Sequence, residues 1–122
     1  MPKTILAVDD SASMRQMIKL TLRNAGYEVI EAGDGQQALT QARQNAFHMI
    51  LTDLNMPVMD GMVFIRELRK LPAYMGVPIV FVTTESDAEK KQQAKAAGAT
   101  AWITKPFQPE QLVAVAKKVL GE

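Results

Sequence analysis

Short apolar runs alternate along the chain with stretches in which apolar residues recur every three or four positions. Apolar runs of this length indicate β-strands, and the three-to-four spacing indicates amphipathic helices. Glycine, proline and small polar residues separate the two kinds of segment and mark the turns between them. The pattern predicts five strands, each followed by a helix, at residues 4–8, 27–32, 47–52, 78–82 and 101–104.

Residue types that start or stop helices stand near the ends of the helical segments. In a capping box, a Ser or Asp side chain bonds the backbone three residues on, where a Glu or Gln bonds back. Glycine suits the residue just past a helix, and proline suits its first position. These signals place helix starts at Ser13, Asp34, Ser86 and Pro109 and helix ends at Gly26 and Gly98.

The predicted fourth helix has little apolar surface, because its apolar residues are only the alanines at 88, 94, 96 and 97. A helix with so narrow an apolar stripe buries little area, so we expect it to be loosely held or to use a face for another purpose. Lys90, Lys91 and Lys95 make part of it basic. An acidic helix or peptide would complement such a face, although a simply solvated surface explains it equally well.

Strands that alternate with helices predict an α/β fold with a doubly wound parallel sheet. The strands read as continuous apolar runs, as expected for a sheet whose two faces are both covered by helices. In such sheets ligands bind beyond the carboxyl ends of the strands. The chemistry of this chain is therefore expected where its strands end.

Composition narrows the possible functions. The chain has 122 residues, which predicts one domain, and it is 48% hydrophobic and 22% charged, as in soluble globular proteins. Its 14 basic and 13 acidic residues give no electrostatic reason to bind nucleic acid or a membrane surface. The lack of cysteine excludes disulfides and thiolate sites, and a single histidine disfavours multi-histidine metal sites. No signal peptide or membrane span is visible, so we expect a cytoplasmic protein.

Polar residues with useful chemistry follow four of the predicted strands: Asp9 and Asp10, Asp53, Thr83, and Lys105. In a parallel sheet these ends share one edge, which would gather three carboxylates, a hydroxyl and an ammonium in one crevice. Carboxylates this close repel one another unless a cation joins them, and Mg²⁺ suits an all-oxygen site. Lys105 and Thr83 could hold phosphate oxygens, and a carboxylate could act as a nucleophile.

Each of these residues also has an ordinary structural explanation. Asp9 and Asp10 could cap the following helix, Thr83 could be a turn residue, and a lysine before a proline is commonly solvated. His48 is interpreted as a structural or surface residue. The joint placement of the polar residues on successive strands, rather than any one of them, favours a functional site.

The sequence around these strand ends resembles the response-regulator receiver domains of two-component signalling. The matching stretches are Val-Asp-Asp-Ser at 8–11, Thr-Asp-Leu-Asn-Met-Pro-Val-Met-Asp-Gly at 52–61, Val-Thr-Thr-Glu at 82–85 and Lys-Pro-Phe at 105–107. The resemblance covers the whole chain. It implies the flavodoxin-like strand order 2-1-3-4-5, and one receiver domain over residues 1–122 with no output domain.

The resemblance implies a role for each matching residue. Asp53 would accept a phosphoryl group from a phosphohistidine on a sensor histidine kinase, and Thr83 and Lys105 would bind the phosphoryl oxygens. The chain would thus catalyse only its own phosphorylation and dephosphorylation rather than act on a separate substrate. The implied Mg²⁺ ligands are Asp10, Asp53 and the backbone carbonyl of Asn55, with Asp9 acting through water.

The resemblance further implies a switch. In the family, the residue matching Thr83 moves toward the phosphoryl group and an aromatic residue on the fifth strand rotates inward behind it. The matching position is Trp102, where the family usually has Tyr or Phe, so rotation of the larger ring is either restricted or needs a larger void. Asn55 and Glu85 flank the expected path of water, which implies a phosphoryl group that lasts seconds to minutes. A cis peptide bond before Pro106 is also implied.

The implied output face consists of the fourth helix, the fifth strand and the last helix. Single-domain chemotaxis receivers are the preferred match, on residues 9–15 and the spacing to Gly26 and Tyr27. A monomer would then take its phosphoryl group from a CheA-type histidine kinase, with a flagellar motor switch protein or a phosphatase as a further partner. Trp102 and the lysine-rich fourth helix depart from the pattern expected for docking on the flagellar switch.

Other functions share parts of this pattern. A phosphorelay shuttle and a phosphate sink are the alternatives within two-component signalling. A haloacid-dehalogenase-type phosphatase also uses a strand-end aspartate and Mg²⁺, but it normally needs a second acid where this chain has Asn55. A flavodoxin-like electron carrier would need a hydroxyl-rich phosphate loop after the first strand, where Asp9 and Asp10 would repel the phosphate.

Overall fold

The computed structural model describes residues 2–122, which form the predicted doubly wound α/β fold. One five-stranded sheet has the order β2-β1-β3-β4-β5, and every neighbouring pair is parallel. The flavodoxin-like strand order is therefore confirmed. The strands are β1 (Thr4–Val8), β2 (Glu28–Ala32), β3 (Met49–Thr52), β4 (Ile79–Thr83) and β5 (Ala101–Thr104).

A helix follows each strand, as the hydrophobic pattern predicts. A short 3₁₀ helix, Pro72–Tyr74, precedes β4 and was not predicted. None of the helices within residues 2–122 has the length and apolar character needed to cross a bilayer. The five α-helices are α1 (Ala12–Asn24), α2 (Gly35–Gln44), α3 (Gly61–Arg69), α4 (Ala88–Ala97) and α5 (Pro109–Val119).

Two apolar cores cover the two faces of the sheet. Alternate residues of β1 point into different cores, with Leu6 in one and Ile5 in the other. The core around Leu6 is closed by α2, α3 and part of α4, and the core around Ile5 is closed by α1 and α5. This two-sided burial explains why the strands read as uninterrupted apolar runs.

Two predicted helix starts are wrong, and the reason is the same in both. α1 is capped by Ser11 rather than Ser13, and α4 by Asp87 rather than Ser86. In each case a neighbouring side chain is better placed: the Ser11 hydroxyl accepts from the Met14 N–H, and the Asp87 carboxylate accepts from two backbone N–H groups. The predicted cap at Asp34, the helix ends at Gly26 and Gly98, and the start at Pro109 are found.

Three strands begin later than predicted, since β2, β3 and β4 begin at Glu28, Met49 and Ile79 rather than at residues 27, 47 and 78. Tyr27 and Phe47 are buried but lie outside β2 and β3. Their N–H groups bond elsewhere, to the Leu22 carbonyl and, at 3.4 Å, to the Tyr74 hydroxyl. An apolar pattern indicates burial rather than hydrogen bonding within the sheet. The predicted strands therefore begin before the observed ones here. His48, interpreted as structural or surface, is exposed, and its Nδ1 accepts the Thr4 N–H at 3.0 Å.

Helix α4 is as weakly anchored as its composition predicts. Ala94 is its only fully buried residue. Its carboxyl end is held from outside, because the Arg69 guanidinium donates to the Gly98 carbonyl at 2.6 Å. The same guanidinium also donates to the carbonyls of Tyr74 and Val77 in the connection before β4. One side chain thus ties α3, this connection and the end of α4 together.

We expect Arg69→Gln to lower the free energy of unfolding by about 2 kcal/mol, because it leaves partly buried carbonyls without their charged donor. Urea denaturation would measure the loss. Arg66→Gln is the matched control, since Arg66 lies on the same helix, is exposed and has none of these bonds. Equal losses for the two variants would contradict the stabilising role given to the Arg69 hydrogen bonds.

Candidate functional site

The sheet register brings the ends of β1 and β3 side by side. Val8 pairs with Thr52, and the Asp53 N–H donates to the Val8 carbonyl at 2.9 Å. The residues that follow, Asp9 and Asp53, therefore leave the sheet next to each other. Thr83 ends β4, and Lys105 follows β5, so the remaining predicted residues reach the same edge.

Three carboxylates meet at this edge. One oxygen from each of Asp9, Asp10 and Asp53 lies within 4.8 Å of the others. Asp9 and Asp53 are buried, whereas Asp10 is exposed and gives the cluster a side open to solvent. The sequence prediction that these carboxylates gather in one crevice is thus found in the geometry.

Lys105 spans the two buried carboxylates. Its Nζ lies 2.7 Å from Asp9 Oδ2 and 3.0 Å from Asp53 Oδ2, and its side chain is only 11% exposed. Burial lowers the pKa of Lys105, but the hydrogen bonds and charges of the two carboxylates outweigh burial and hold that pKa above its usual value. The ammonium is therefore charged at neutral pH.

The backbone occupies the other oxygens of the same two carboxylates. Asp9 Oδ1 accepts the Ser11 N–H at 2.9 Å, and Asp53 Oδ1 accepts the Leu54 N–H at 2.7 Å. Each buried carboxylate is thus fixed by one backbone donor and by Lys105. Such fixed orientation is what a reacting carboxylate needs, since misplacement slows reactions severely.

The donor set fits a hard divalent cation. Three carboxylates facing one ammonium leave two negative charges uncompensated at one point. Oxygen ligands of this kind suit Mg²⁺, which needs only one or two carboxylates and keeps several waters. Asn55, whose carbonyl is the fourth predicted ligand, is exposed two residues after Asp53 on the same loop.

Thr83 is fully buried at the end of β4 and lies apart from the carboxylate bonds just described. Its hydroxyl accepts the Glu85 N–H at 3.3 Å, and within residues 2–122 no hydrogen bond joins it to Asp53. Its carbonyl accepts the Lys105 N–H at 2.8 Å, so Thr83 positions the start of the loop that follows β5 and carries Lys105. The Lys105–Pro106 bond is cis, as the resemblance implied.

Trp102 lies half-buried on β5 beside open space. Its ring is 5.5 Å from that of Phe81, between centroids, and Lys91 Nζ is 5.8 Å from its centroid. Its indole Nε1 is buried without a hydrogen-bond partner in the described chain. A cavity of about 180 Å³, lined in part by Ala94 and Lys95, adjoins the ring.

Two residues that support the site were missed in the sequence. The Arg15 guanidinium donates to the Asp9 carbonyl, and its Nε lies 3.2 Å from Glu31, so it fixes the turn after β1. Gly61 allows the loop to close, since a Cβ there would lie 2.1 Å from the Asp53 carbonyl. The Asp60–Gly61 pair at the start of α3 could have indicated from the sequence that Gly61 supports the site. For Arg15 the sequence offers no signal beyond its positive charge.

Comparison with solved structures agrees with this arrangement. The chain is similar to the chemotaxis protein CheY4 of Vibrio cholerae, with 48% sequence identity and a TM-score of 0.94 over 98% of this chain and 99% of CheY4. It is also similar to the receiver domain of the sensor histidine kinase PA1611 from Pseudomonas aeruginosa PAO1. That match has 30% identity and a TM-score of 0.92 over 100% of both chains, and that structure has a magnesium ion coordinated in its active site cleft.

Sequence comparison gives the same family. The phosphate regulon transcriptional regulatory protein PhoB of Pseudomonas aeruginosa is 40% identical over 118 residues, which are 97% of this chain and 52% of PhoB. The chain thus spans about half the length of the first curated relatives it matches. The family model described as response regulator receiver domain matches residues 5–117. With the parallel sheet and the acidic edge already described, this match shows that the chain belongs to the receiver-domain family of two-component response regulators.

Proposed function

We propose that the chain is a phosphorylation-dependent signalling switch whose phosphoacceptor is Asp53. The observation that carries the proposal is the meeting of three carboxylates within 4.8 Å, two of them bridged by the Lys105 ammonium. Asp53 is the member that is both buried by the sheet edge and adjacent to the loop before α3. A fixed carboxylate beside compensating positive charge is suited to attack a phosphoryl group.

The proposed transfer takes the phosphoryl group from a phosphohistidine of a sensor histidine kinase. A carboxylate oxygen of Asp53 bonds to phosphorus while the phosphorus–nitrogen bond breaks. The histidine nitrogen keeps the bonding electron pair, and the imidazole leaves neutral when its other nitrogen carries a proton. In hydrolysis a water oxygen bonds to phosphorus while the bond to Asp53 breaks. Asp53 keeps the electron pair as a carboxylate, and the protons of the water leave with the inorganic phosphate. The chain acts on itself, with no separate substrate turned over.

Asp10, Asp53 and the Asn55 carbonyl, with Asp9 through water, are the groups proposed to hold Mg²⁺. When bound, the ion supplies positive charge that neutralises the phosphoryl oxygens. The magnesium ion in the PA1611 receiver cleft and the uncompensated negative charge of the acidic edge support this assignment.

Lys105 and Thr83 are proposed to receive the phosphoryl oxygens. The Lys105 ammonium already contacts Asp53, so a phosphoryl group there would meet a fixed cation. Thr83 would exchange its bond from the Glu85 N–H for one to the phosphoryl group. Its movement would open space behind it for Trp102, whose unpartnered Nε1 and adjoining cavity favour more than one ring position. The face formed by α4, β5 and α5 would carry the change to a partner.

The lifetime of the phosphoryl group is proposed to be seconds to minutes. Asn55 is exposed and Glu85 is half-buried beside Thr83, so both can hold water near the acceptor. Polar residues that orient water favour hydrolysis over a persistent phosphoryl group.

Chemotaxis is the pathway we propose, with a CheA-type kinase as donor and a flagellar motor switch protein or a phosphatase as a further partner. The similarity to CheY4 over 99% of that chain supports the chemotaxis assignment. We also propose one receiver domain over residues 1–122 that acts as a monomer. We propose that the protein acts in the cytoplasm, where the ATP that phosphorylates a histidine kinase is found. Transfer onward to a second histidine protein would instead favour a phosphorelay shuttle or sink.

We expect Lys105→Met to lower the free energy of unfolding at pH 7 by about 3 kcal/mol, because two buried carboxylates lose their shared cation. The folded chain holds the pKa of Lys105 above its usual value of 10.5, so the stability that this ammonium contributes is fully present below that value and is lost as the pH rises through the raised pKa. The deficit relative to the unaltered chain should therefore be constant around neutral pH and shrink at alkaline pH, above about pH 10.5.

Denaturant titrations at several pH values in the absence of divalent ions would measure the deficit. Lys70→Met is the control, since it breaks an exposed ion pair with Glu67 and should cost less than about 1 kcal/mol at any of these pH values. A deficit for Lys105→Met that is small, or that does not shrink at alkaline pH, would contradict the proposed charge balance.

Incubation with acetyl phosphate and Mg²⁺ should add one phosphoryl group to the unaltered chain and none to Asp53→Asn. Intact mass spectrometry would measure the adduct, and beryllofluoride-induced change in Trp102 fluorescence would report site occupancy if hydrolysis is fast. Asp60→Asn is the matched control, because it alters a carboxylate of the same loop at a helix cap where asparagine serves as well. An adduct retained in Asp53→Asn, or no response by either readout, would refute the assignment.

A further inference from the structure

Val58 holds a backbone conformation that valine rarely adopts. Its φ is +69°, the only positive value at a non-glycine residue within residues 2–122. The Met59 N–H donates to the Pro57 carbonyl at 2.7 Å, which closes a tight turn of three residues around Val58. In this left-handed region a β-branched side chain crowds the backbone, so the conformation costs free energy.

The rest of the loop imposes this conformation. On one side the Met59 carbonyl accepts the Gly35 N–H at 3.3 Å, and a Cβ on Gly35 would lie 2.8 Å from that oxygen. On the other side the Gly61 N–H donates to the Leu54 carbonyl at 2.8 Å. Because both ends of the loop are fixed, a residue at position 58 has little freedom to leave the left-handed region.

Packing of the Val58 side chain does not offset the free-energy cost of this backbone conformation. The residue is 82% exposed, so valine adds almost no buried area to the fold. Glycine or asparagine would take the same conformation at lower cost. Strained residues without a packing reason occur preferentially at functional sites. The position therefore points to a contact outside the chain.

We infer that Val58 is an apolar contact for the phosphohistidine protein that phosphorylates Asp53, an inference that rests on the proposed function. The Asp53 side chain is only 12% exposed, so a protein donor must approach closely and contact the loops around it, which include the loop that follows Asp53. Val58 lies on that loop, and Val63, which is 42% exposed, lies in the first turn of α3 just beyond it. A donor protein that fits Val58 and Val63 carries apolar side chains beside its phosphohistidine.

A small phosphodonor does not need this contact, and that difference provides the test. We expect Val58→Asn to raise the urea midpoint of unfolding and to leave the rate of phosphorylation by acetyl phosphate unchanged. Transfer from a phosphorylated CheA-type kinase that acts on the unaltered chain should fall about tenfold in kcat/KM, the loss expected for a valine-sized apolar contact. Val58→Ile, which keeps both the apolar surface and the strain, should transfer at close to the original rate.

Met75→Asn is the matched control, because Met75 is another exposed apolar residue, 71% exposed, in the connection before β4. It should alter neither rate. Unchanged kinase transfer in Val58→Asn, or equal slowing with both donors, would overturn the contact, and an unchanged urea midpoint would overturn the strain argument. In both cases the unaltered chain is still phosphorylated, whereas failure of the proposed function would leave the unaltered chain unphosphorylated by either donor.

Discussion

The Lys105 ammonium between two buried carboxylates is the interaction on which the site depends. Asp9 and Asp53 are forced together because β1 and β3 are paired in the centre of the sheet. Two carboxylates at that depth need a shared cation, and the residue after β5 supplies it, two strands from β3 and three from β1. The backbone fixes the remaining oxygens, and Asp10 leaves one side open. The parallel sheet thus converts sequence-distant residues into one reactive edge.

The opposite requirement holds on the face formed by α4, β5 and α5. There α4 is loosely held, since it buries only Ala94, and Trp102 adjoins a cavity. Arg69 holds the carboxyl end of α4, and the Asp87 side chain caps the amino end of the same helix. A rigid acidic edge beside a weakly held helix is the combination that a switch needs, because small changes at the edge can shift the helix at low energetic cost.

Sequence patterns predicted the alternation of strands and helices and the polar residues of the acidic edge, because these follow from burial and from parallel topology. The strand order followed from the family resemblance. They did not predict features that depend on backbone atoms meeting in space. The bonds from Arg69 to three carbonyls, the close approach at Gly61 and the turn at Val58 are of this kind. The helix caps at Ser11 and Asp87 were misplaced because neighbouring polar side chains compete for the same backbone donors.

We propose that the carboxylates that follow β1 and β3 form one cation site at the sheet edge. A Mg²⁺ titration followed by the backbone amide NMR signals tests it most directly. The account predicts saturable shifts centred on Asp10, Leu54 and Asn55, with affinity weakened roughly tenfold or more in Asp10→Asn and unchanged in Glu110→Gln. Shifts centred elsewhere, or Asp10→Asn binding as tightly as the unaltered chain, would contradict it.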